Sequence, residues 1–218
     1  PHTFTPLWLS LILTANALTY RQTGRCIMTH RTGFFLFLFP FSALFWWFFE
    51  FLNRFVQNWY YVGAHFGPME YFWYATLPFS TVLPAVLSVQ EWMHGFGWLQ
   101  SRFHRLPPIR IGHSKTISIA VLSVSGLGLA GIGIWPDTLF SLLWISPLLI
   151  MVSLQCLAGD RHVLSDLADG NGVLIISSAL AALFCGVFWE TWNFYSLAKW
   201  KYTIPFVDRF HVFEMPLL

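Results

Sequence analysis

Charged residues are scarce in this sequence. Only 12 lysines and arginines and 10 aspartates and glutamates occur in 218 residues, whereas 56% of the residues are hydrophobic. A soluble domain covers its surface with roughly 25% charged residues, so a soluble globular fold is excluded. The net charge of +2 leaves no basic stripe that could neutralise a run of phosphates, which excludes nucleic-acid binding.

Cysteine is equally rare. Cys26, Cys156 and Cys185 are far apart and none belongs to a Cys-x-x-Cys pair, so the sequence predicts neither a disulfide framework nor a thiolate metal site. The chain begins at Pro1 instead of a methionine, and an apolar run opens at its C-terminal end. We therefore expect a polypeptide trimmed at both ends.

Long uncharged runs dominate the sequence instead. A helix needs about 20 apolar residues to cross the hydrocarbon core of a bilayer. The pattern predicts an all-α polytopic membrane protein of six to seven transmembrane helices in a single membrane domain covering residues 1–218, with the last helix truncated. The predicted spans cover residues 4–20, 33–61, 71–89, 117–135, 138–158 and 173–200, and a seventh begins near Met215.

The basic residues predict an orientation. Positive residues accumulate in cytoplasmic loops, so the side with more of them is assigned to the cytoplasm and the N-terminus to the outside. We expect a bacterial inner membrane, with membrane lipids as partners. The richer side holds Arg21, Arg25, Arg31, Arg102, Arg105, Arg110, Lys115 and Arg161, and the poorer side holds Arg54, Lys199, Lys201 and Arg209.

An internal repeat is the most informative feature. The same landmarks recur in the same order roughly 140 residues apart, and they predict parallel repeats related by a pseudo-two-fold axis along the membrane normal. Repeat 1 covers about 4–92, a glycine-rich linker helix covers about 115–136, and repeat 2 covers about 138–218. The corresponding pairs are Trp8 and Trp144, Arg25 and Arg161, Glu50 and Glu190, Asn53 and Asn193, Trp59 and Trp200, Tyr61 and Tyr202, and Glu70 and Glu214.

Each repeat carries polar residues in one order: Glu-x-x-Asn near the outer end of a helix, Trp-x-Tyr in a turn, and a Glu that opens the next helix. Residues three apart share a helix face, so each Glu and its Asn point the same way. An ionisable group in hydrocarbon costs several kcal/mol and needs a partner or a task, which makes the glutamates functional candidates. The alternative is that these polar and aromatic residues bond helices together and anchor the interface.

These motifs resemble the lycopene cyclase domain family, whose members are small integral-membrane carotenoid cyclases built as heterodimers of three-span subunits or as fused tandem proteins. Where that family usually has two adjacent carboxylates after a proline, Tyr71 follows Glu70 and Met215 follows Glu214. The first repeat contributes Phe49-Glu50, Trp59-Tyr60-Tyr61 and Pro68-Met69-Glu70, and the second contributes Trp189-Glu190, Trp200-Lys201-Tyr202 and Glu214-Met215-Pro216.

The resemblance implies a non-redox ring closure at the end of an acyclic carotene. An acid protonates the terminal alkene, a neighbouring double bond attacks the cation, and a base removes a proton; no cofactor is required. Glu70 and Glu214 are the acid and base candidates, with Glu50 and Glu190 as supporting or alternate carboxylates. The expected substrate-binding residues are Asn53, Asn193, Trp59, Trp200, Tyr61, Tyr202 and Trp189.

Two other interpretations stay open. Twelve tryptophans and 23 phenylalanines also suit a non-catalytic accessory subunit that binds a carotenoid, quinone or lipid, or packs within a larger membrane complex. A dinuclear metal site is a second alternative, because four glutamates with His65 and His211 are a sufficient ligand inventory. The Glu-x-x-His pattern of such sites is replaced here by Glu-x-x-Asn, so no metal is assigned.

Overall fold

The computed structural model describes residues 3–63, 65–109, 115–207 and 209–216; Arg110, used above for orientation, lies outside them. The chain is mostly helical, with two small antiparallel β-ladders. The elements are α1 (Phe4–Thr23), α2 (Ile27–His30), α3 (Thr32–Val56), β1 (Trp59–Val62), α4 (Pro68–His94), α5 (Gly97–Phe103), α6 (Lys115–Gly131), α7 (Pro136–Leu139), α8 (Leu142–Ala158), a 3-10 helix (Ser165–Asp169), α9 (Val173–Phe194), β2 (Lys199–Tyr202), β3 (His211–Val212) and β4 (Met215–Pro216).

Three helices in the described ranges are long and apolar enough to cross a membrane, namely α3, α4 and α9. The apolar helices α6 and α8 have 17 residues each, and α1 is not among the span candidates. The structure thus supports an integral membrane protein. Among the described residues, helices occur at six predicted positions, and of these helices only α3, α4 and α9 have full spanning length and hydropathy.

Helix α4 lies at the centre of the bundle, where it packs against α1, α3 and α9. Ala85 and Val89 on α4 are fully buried against Trp8 and Ile12 of α1. The amide of Asn16 on α1 is also fully buried and donates to the Ser88 hydroxyl at 2.8 Å. A satisfied polar contact of this kind fixes the helix register, because an unmatched buried amide costs about 1–3 kcal/mol.

Two prolines lie inside α4, and a side chain of α3 forms hydrogen bonds with the backbone of α4 between them. Pro78 and Pro84 lie inside α4, where each proline lacks the N–H of an ordinary helix residue. The Ser42 hydroxyl of α3 donates to the Phe79 carbonyl and accepts from the Leu83 N–H. One side chain of α3 therefore bridges a donor and an acceptor that would otherwise pair within α4.

Helix α6, the glycine-rich linker helix of the sequence, packs against α8 and α7. A Cβ atom added to Gly131 would lie 2.9 Å from Leu139, and one added to Gly128 would crowd Leu142. Gly126, by contrast, has open space around it. Gly128 accordingly lies at the contact of α6 with α8, and Gly131 lies at its contact with α7.

The predicted helix ends are wrong at two places. The second span ends at Val56 instead of Tyr61, and the sixth ends at Phe194 instead of Trp200. Both Trp-x-Tyr motifs, predicted as turns, are strands, because β1 and β2 satisfy their backbone groups in one antiparallel ladder.

The predicted seventh helix does not begin at Met215. Met215 and Pro216 form β4, which pairs with β3, and Glu214 lies in the turn between these strands. A residue before proline is biased towards extended backbone, so Pro216 favours a strand at Met215 over a helix start.

Candidate functional site

Two asparagines hold the two strands in the same way. The Asn53 amide donates to the Trp59 carbonyl at 2.8 Å, and the Trp59 N–H donates to Asn53 Oδ1 at 3.3 Å. The Asn193 amide donates to the Trp200 carbonyl at 3.0 Å, and the Trp200 N–H donates to Asn193 Oδ1 at 2.9 Å. Each asparagine thus links the end of its helix to the tryptophan of its own Trp-x-Tyr motif.

The ladder between β1 and β2 brings the two motifs side by side. Trp59 lies opposite Tyr202, and Tyr61 lies opposite Trp200. Residues about 140 positions apart therefore come into direct contact. What the repeat did not predict is that backbone hydrogen bonds in a strand pair make the contact.

Glu50 is the most heavily bonded carboxylate of the site. Its Oε1 accepts from the Trp59 indole at 2.9 Å and from the Tyr61 hydroxyl at 2.6 Å. Its Oε2 accepts from the Tyr71 hydroxyl at 3.3 Å. Three donors from β1 and α4 fix the carboxylate in one orientation.

Glu190 has fewer partners and is more deeply buried. Its Oε1 accepts from the Tyr202 hydroxyl at 2.6 Å, and that hydroxyl accepts from the Trp200 indole at 3.0 Å. Its Oε2 is buried without a hydrogen-bond partner among the described residues, and the residue is 4% exposed. The two equivalent glutamates thus share a tyrosine contact but differ in the number of donors.

Tyr61 and Tyr202, the two tyrosines that contact the glutamates from the strands, stay neutral. Burial, reinforced by the Glu190 carboxylate, raises the pKa of Tyr202. Burial of the Tyr61 hydroxyl and the neighbouring Glu50 carboxylate also raise the pKa of Tyr61. Part of the Tyr61 side chain is nevertheless exposed. Both hydroxyls consequently remain hydrogen-bond donors over the physiological pH range.

A half-open cavity of about 340 Å³ lies among α1, β1, α4, α9 and β2, and we refer to it as the aromatic cavity. Its size is within the range of about 300–1,000 Å³ that is typical of small-molecule sites. The Trp189 ring lies 4.8 Å from that of Trp200 and is stacked at 5.1 Å on that of Trp46. The aromatic residues that line the cavity are Phe4, Tyr61, Phe66, Tyr71, Tyr74, Phe79, Trp189 and Trp200.

A second cavity of about 460 Å³ lies at the end of α3, and we refer to it as the polar cavity. Glu50, Asn53, Arg54 and Gln57 line it together with aromatic rings. Tyr71 lines both cavities. The contacts of Glu50 with Tyr61 and Tyr71 consequently form part of the wall between them.

Glu70 and Glu214 lie away from these contacts. Glu70 is exposed and accepts from the Gly67 N–H at 3.0 Å, which caps α4. Glu214 pairs with Lys199 at 2.8 Å, and the hydrogen bond from Lys199 lowers the pKa of Glu214. Neither lines either cavity. The structure therefore places the two predicted acid and base candidates outside the cavity walls and the two predicted supporting carboxylates closer to them.

The two histidines of the metal alternative are separated in the fold. His65 lines the aromatic cavity, whereas His211 lies in β3. Among residues 3–63, 65–109, 115–207 and 209–216, no three histidine, cysteine, aspartate or glutamate side chains come together in a group that could hold a metal ion.

Tyr71 is the main site residue that the sequence did not identify. It occupies the position directly after Glu70, where the resembled family has its second carboxylate, and its hydroxyl contacts Glu50 from α4. The presence of Tyr71 at a position where that family usually has a carboxylate was the feature of the sequence that could have identified it. No family model, curated protein or solved structure matches the chain, so its functional assignment rests on the motifs and on this geometry.

Proposed function

We propose that the chain is an integral membrane protein that binds the end of a long unsaturated isoprenoid, such as a carotene, in the aromatic cavity and closes a ring there by acid–base chemistry. The motifs that resemble the lycopene cyclase domain family give the reaction class. The observation that carries the proposal is the aromatic cavity, which is lined by Trp189 and Trp200 and by Tyr61, whose hydroxyl donates to Glu50.

The chemistry of the cavity suits a hydrocarbon ligand. Its walls are mainly aromatic, and its volume of about 340 Å³ accommodates one end of a long polyene instead of the whole molecule. Ring closure passes through a carbocation, and aromatic faces attract cations through their quadrupoles. The rings of Trp189 and Trp200 would therefore stabilise the charged intermediate as well as bind the chain.

The geometry favours Glu50 and Glu190 over Glu70 and Glu214 for proton transfer. Glu50 is bonded to Tyr61, which lines the aromatic cavity, and Glu190 follows Trp189, which also lines it. Glu70 caps a helix, and Glu214 forms an ion pair with Lys199. Under this proposal Glu70 and Glu214 have structural roles.

A non-catalytic accessory protein that binds a carotenoid, quinone or lipid is the second candidate. One observation favours it: none of the four glutamates itself lines the aromatic cavity. An apolar cavity without a carboxylate on its surface can hold a ligand without reacting with it. The two candidates share the ligand site and differ in whether a ring is formed.

Expression in a host that makes lycopene tests both candidates. The membrane fraction is extracted and its carotenes are separated by chromatography, while the detergent-purified protein is examined for bound pigment by its visible spectrum. Trp189→Ala removes a cavity wall, and Trp98→Ala is the matched control because Trp98 lies in α5 and is 55% exposed.

Cyclic carotenes formed by the wild type and by Trp98→Ala, but not by Trp189→Ala, would support the cyclase. A bound acyclic carotene that only Trp189→Ala loses, without ring formation, would support the accessory protein. A folded wild type that neither cyclises nor retains a carotene would overturn both candidates for this ligand class.

A further inference from the structure

Glu50 and Tyr61 connect the two cavities through a single hydrogen bond. Tyr61 lines the aromatic cavity, Glu50 lines the polar cavity, and the Tyr61 hydroxyl donates to Glu50 Oε1 at 2.6 Å. A tyrosine oxygen in this position has a lone pair left for a second partner. It can accept a proton on one side while it gives its own proton to the carboxylate on the other.

The surroundings hold Glu50 ready to accept that proton. The Trp59 indole occupies its Oε1 together with Tyr61, and the Tyr71 hydroxyl approaches Oε2. Arg54, one helical turn further along α3, lines the same polar cavity. A proton that arrives at Glu50 consequently reaches a polar space that does not include the tryptophans of the ligand site.

The equivalent contact of the second repeat does not have this connection. Tyr202 also donates to its glutamate at 2.6 Å, and its oxygen accepts from the Trp200 indole at 3.0 Å. Unlike Tyr61, however, Tyr202 does not line the aromatic cavity. Of the two equivalent pairs, only Glu50 and Tyr61 can receive a proton from a molecule in that cavity.

We propose that Tyr61 is the catalytic base of the ring closure and that it passes the proton to Glu50; this proposal rests on the cyclase function proposed above. In the last step a C–H bond next to the cationic carbon of the closed ring breaks, and its electron pair forms the ring double bond. The proton bonds to the Tyr61 oxygen as the original Tyr61 proton moves to Glu50 Oε1. Glu50 then releases it into the polar cavity, and no oxidant or reductant is needed.

The concerted transfer follows from the character of the tyrosine. Burial and the neighbouring carboxylate raise the pKa of Tyr61, so it does not serve as a stored phenolate. It must lose one proton as it gains the other. Tyr61 touches the substrate and is the catalytic residue, whereas Glu50 acts through it.

The position of the new double bond is the most direct measurement of this base. The ring cation can lose a proton from more than one neighbouring carbon, and the base that is present selects which one. Tyr61→Phe, Glu50→Gln and the double variant are expressed in the lycopene-producing host, and the ring isomers are identified by chromatography and NMR. Tyr60→Phe is the matched control, because Tyr60 is the next residue of β1, is exposed and lines neither cavity.

We expect Tyr61→Phe and Glu50→Gln each to lower formation of the wild-type ring isomer about 10²-fold, the lower end of the usual general-base contribution. Other ring isomers, or a ring that has captured water, should replace it. The double variant should be no worse than either single variant, because groups that act as a unit are not additive. Tyr60→Phe should give the wild-type product.

Folding of each variant is checked by gel filtration and thermal unfolding in detergent, and the two single variants test the same base independently. Wild-type product at the wild-type rate from a folded Tyr61→Phe would overturn the assignment of the base while leaving the cyclase in place. Independent, multiplying losses would overturn the relay from Tyr61 to Glu50. A folded wild type and Tyr60→Phe that both form no ring would overturn the cyclase, and the base with it.

Discussion

Tyr60 lies directly opposite Lys201 at the middle of the ladder between β1 and β2. On one side of this pair Trp59 faces Tyr202, and on the other Tyr61 faces Trp200. An antiparallel strand pair has a local two-fold axis between opposed residues. A two-fold rotation about the midpoint between Tyr60 and Lys201 therefore exchanges the tryptophans of the two motifs with each other and their tyrosines with each other.

The first prediction concerns the asparagines that extend this symmetry. Asn53 and Asn193 are buried, and each exchanges two hydrogen bonds with the backbone of its tryptophan. Asn53→Ala and Asn193→Ala should each lower the free energy of unfolding by about 1–3 kcal/mol, and by similar amounts. Thermal unfolding in detergent measures this, with the exposed Gln22→Ala as the control. A neutral effect at either asparagine would contradict their equivalence.

The second prediction concerns the turn that follows β1. Gly63 has a φ of 89°, and a Cβ atom there would overlap the Leu197 carbonyl oxygen. Gly63→Ala should cost at least about 2 kcal/mol, because it adds a backbone clash to the strain of a left-handed residue. Gly33→Ala is the matched control, since no atom lies within 4 Å of its added Cβ and it is in a helix. That change should be neutral or stabilise by up to about 1 kcal/mol. Equal unfolding temperatures for the two variants would contradict the close approach at Gly63.

The sequence predicted the helices well because their signal is local. Uncharged runs place the starts of α3, α4 and α9 within about three residues, although the ends of the second and sixth spans are wrong. The strands were missed because β1 and β2 have only four residues each and exist through pairing across roughly 140 positions. No periodicity within Trp59–Val62 distinguishes such a strand from an interfacial turn.

The candidate site was predicted only in part, because the sequence indicates contacts within a short motif but not contacts between packed helices. The repeat identified Glu50, Asn53, Trp59 and Tyr61, and these residues do meet, because the motif is short and its members contact each other locally. Tyr71 was missed because its contact with Glu50 depends on how α4 packs on α3. Such a contact depends on tertiary packing, which a single sequence does not encode in its spacing.

The third prediction concerns pH and the hairpin of β3 and β4. Lys199 lowers the pKa of Glu214 in the folded chain. The stabilisation is therefore fully present above the unfolded pKa of about 4.3 and is lost as the pH falls through the lower folded pKa. At neutral pH Glu214→Gln should lower the free energy of unfolding by up to about 1 kcal/mol. The difference between wild type and variant should vanish in acid, as measured by thermal unfolding at a series of pH values. A difference that persists in strong acid would exclude the ion pair as its cause.

The fourth prediction concerns orientation in the membrane. The positive-inside rule places the loop after α4 in the cytoplasm and β1 outside, at opposite ends of α4. After replacement of Cys26, Cys156 and Cys185, a cysteine at Ser101 should resist a membrane-impermeant thiol reagent in intact cells. A cysteine at the exposed Tyr60 should react. The reverse labelling pattern would invert the topology.

The last prediction separates the four glutamates by substitution with glutamine in the lycopene-producing host. Gln keeps the size of the side chain and one acceptor oxygen but holds no transferable acidic proton. Glu50→Gln should lower formation of the wild-type ring isomer about 10²-fold, because Glu50 bonds the cavity tyrosine Tyr61. Glu190→Gln should lower total ring formation about 10²-fold or more, because Glu190 is a buried carboxylate beside Trp189. Glu70→Gln should cyclise at the wild-type rate, since an amide oxygen still caps the Gly67 N–H, and Glu214→Gln should lose only the stability contributed by Lys199. If folded Glu70→Gln and Glu214→Gln lost ring formation while Glu50→Gln and Glu190→Gln kept it, Glu70 and Glu214 would be the groups that transfer the proton. The turn between β3 and β4 would then have to close over the cavity during the reaction.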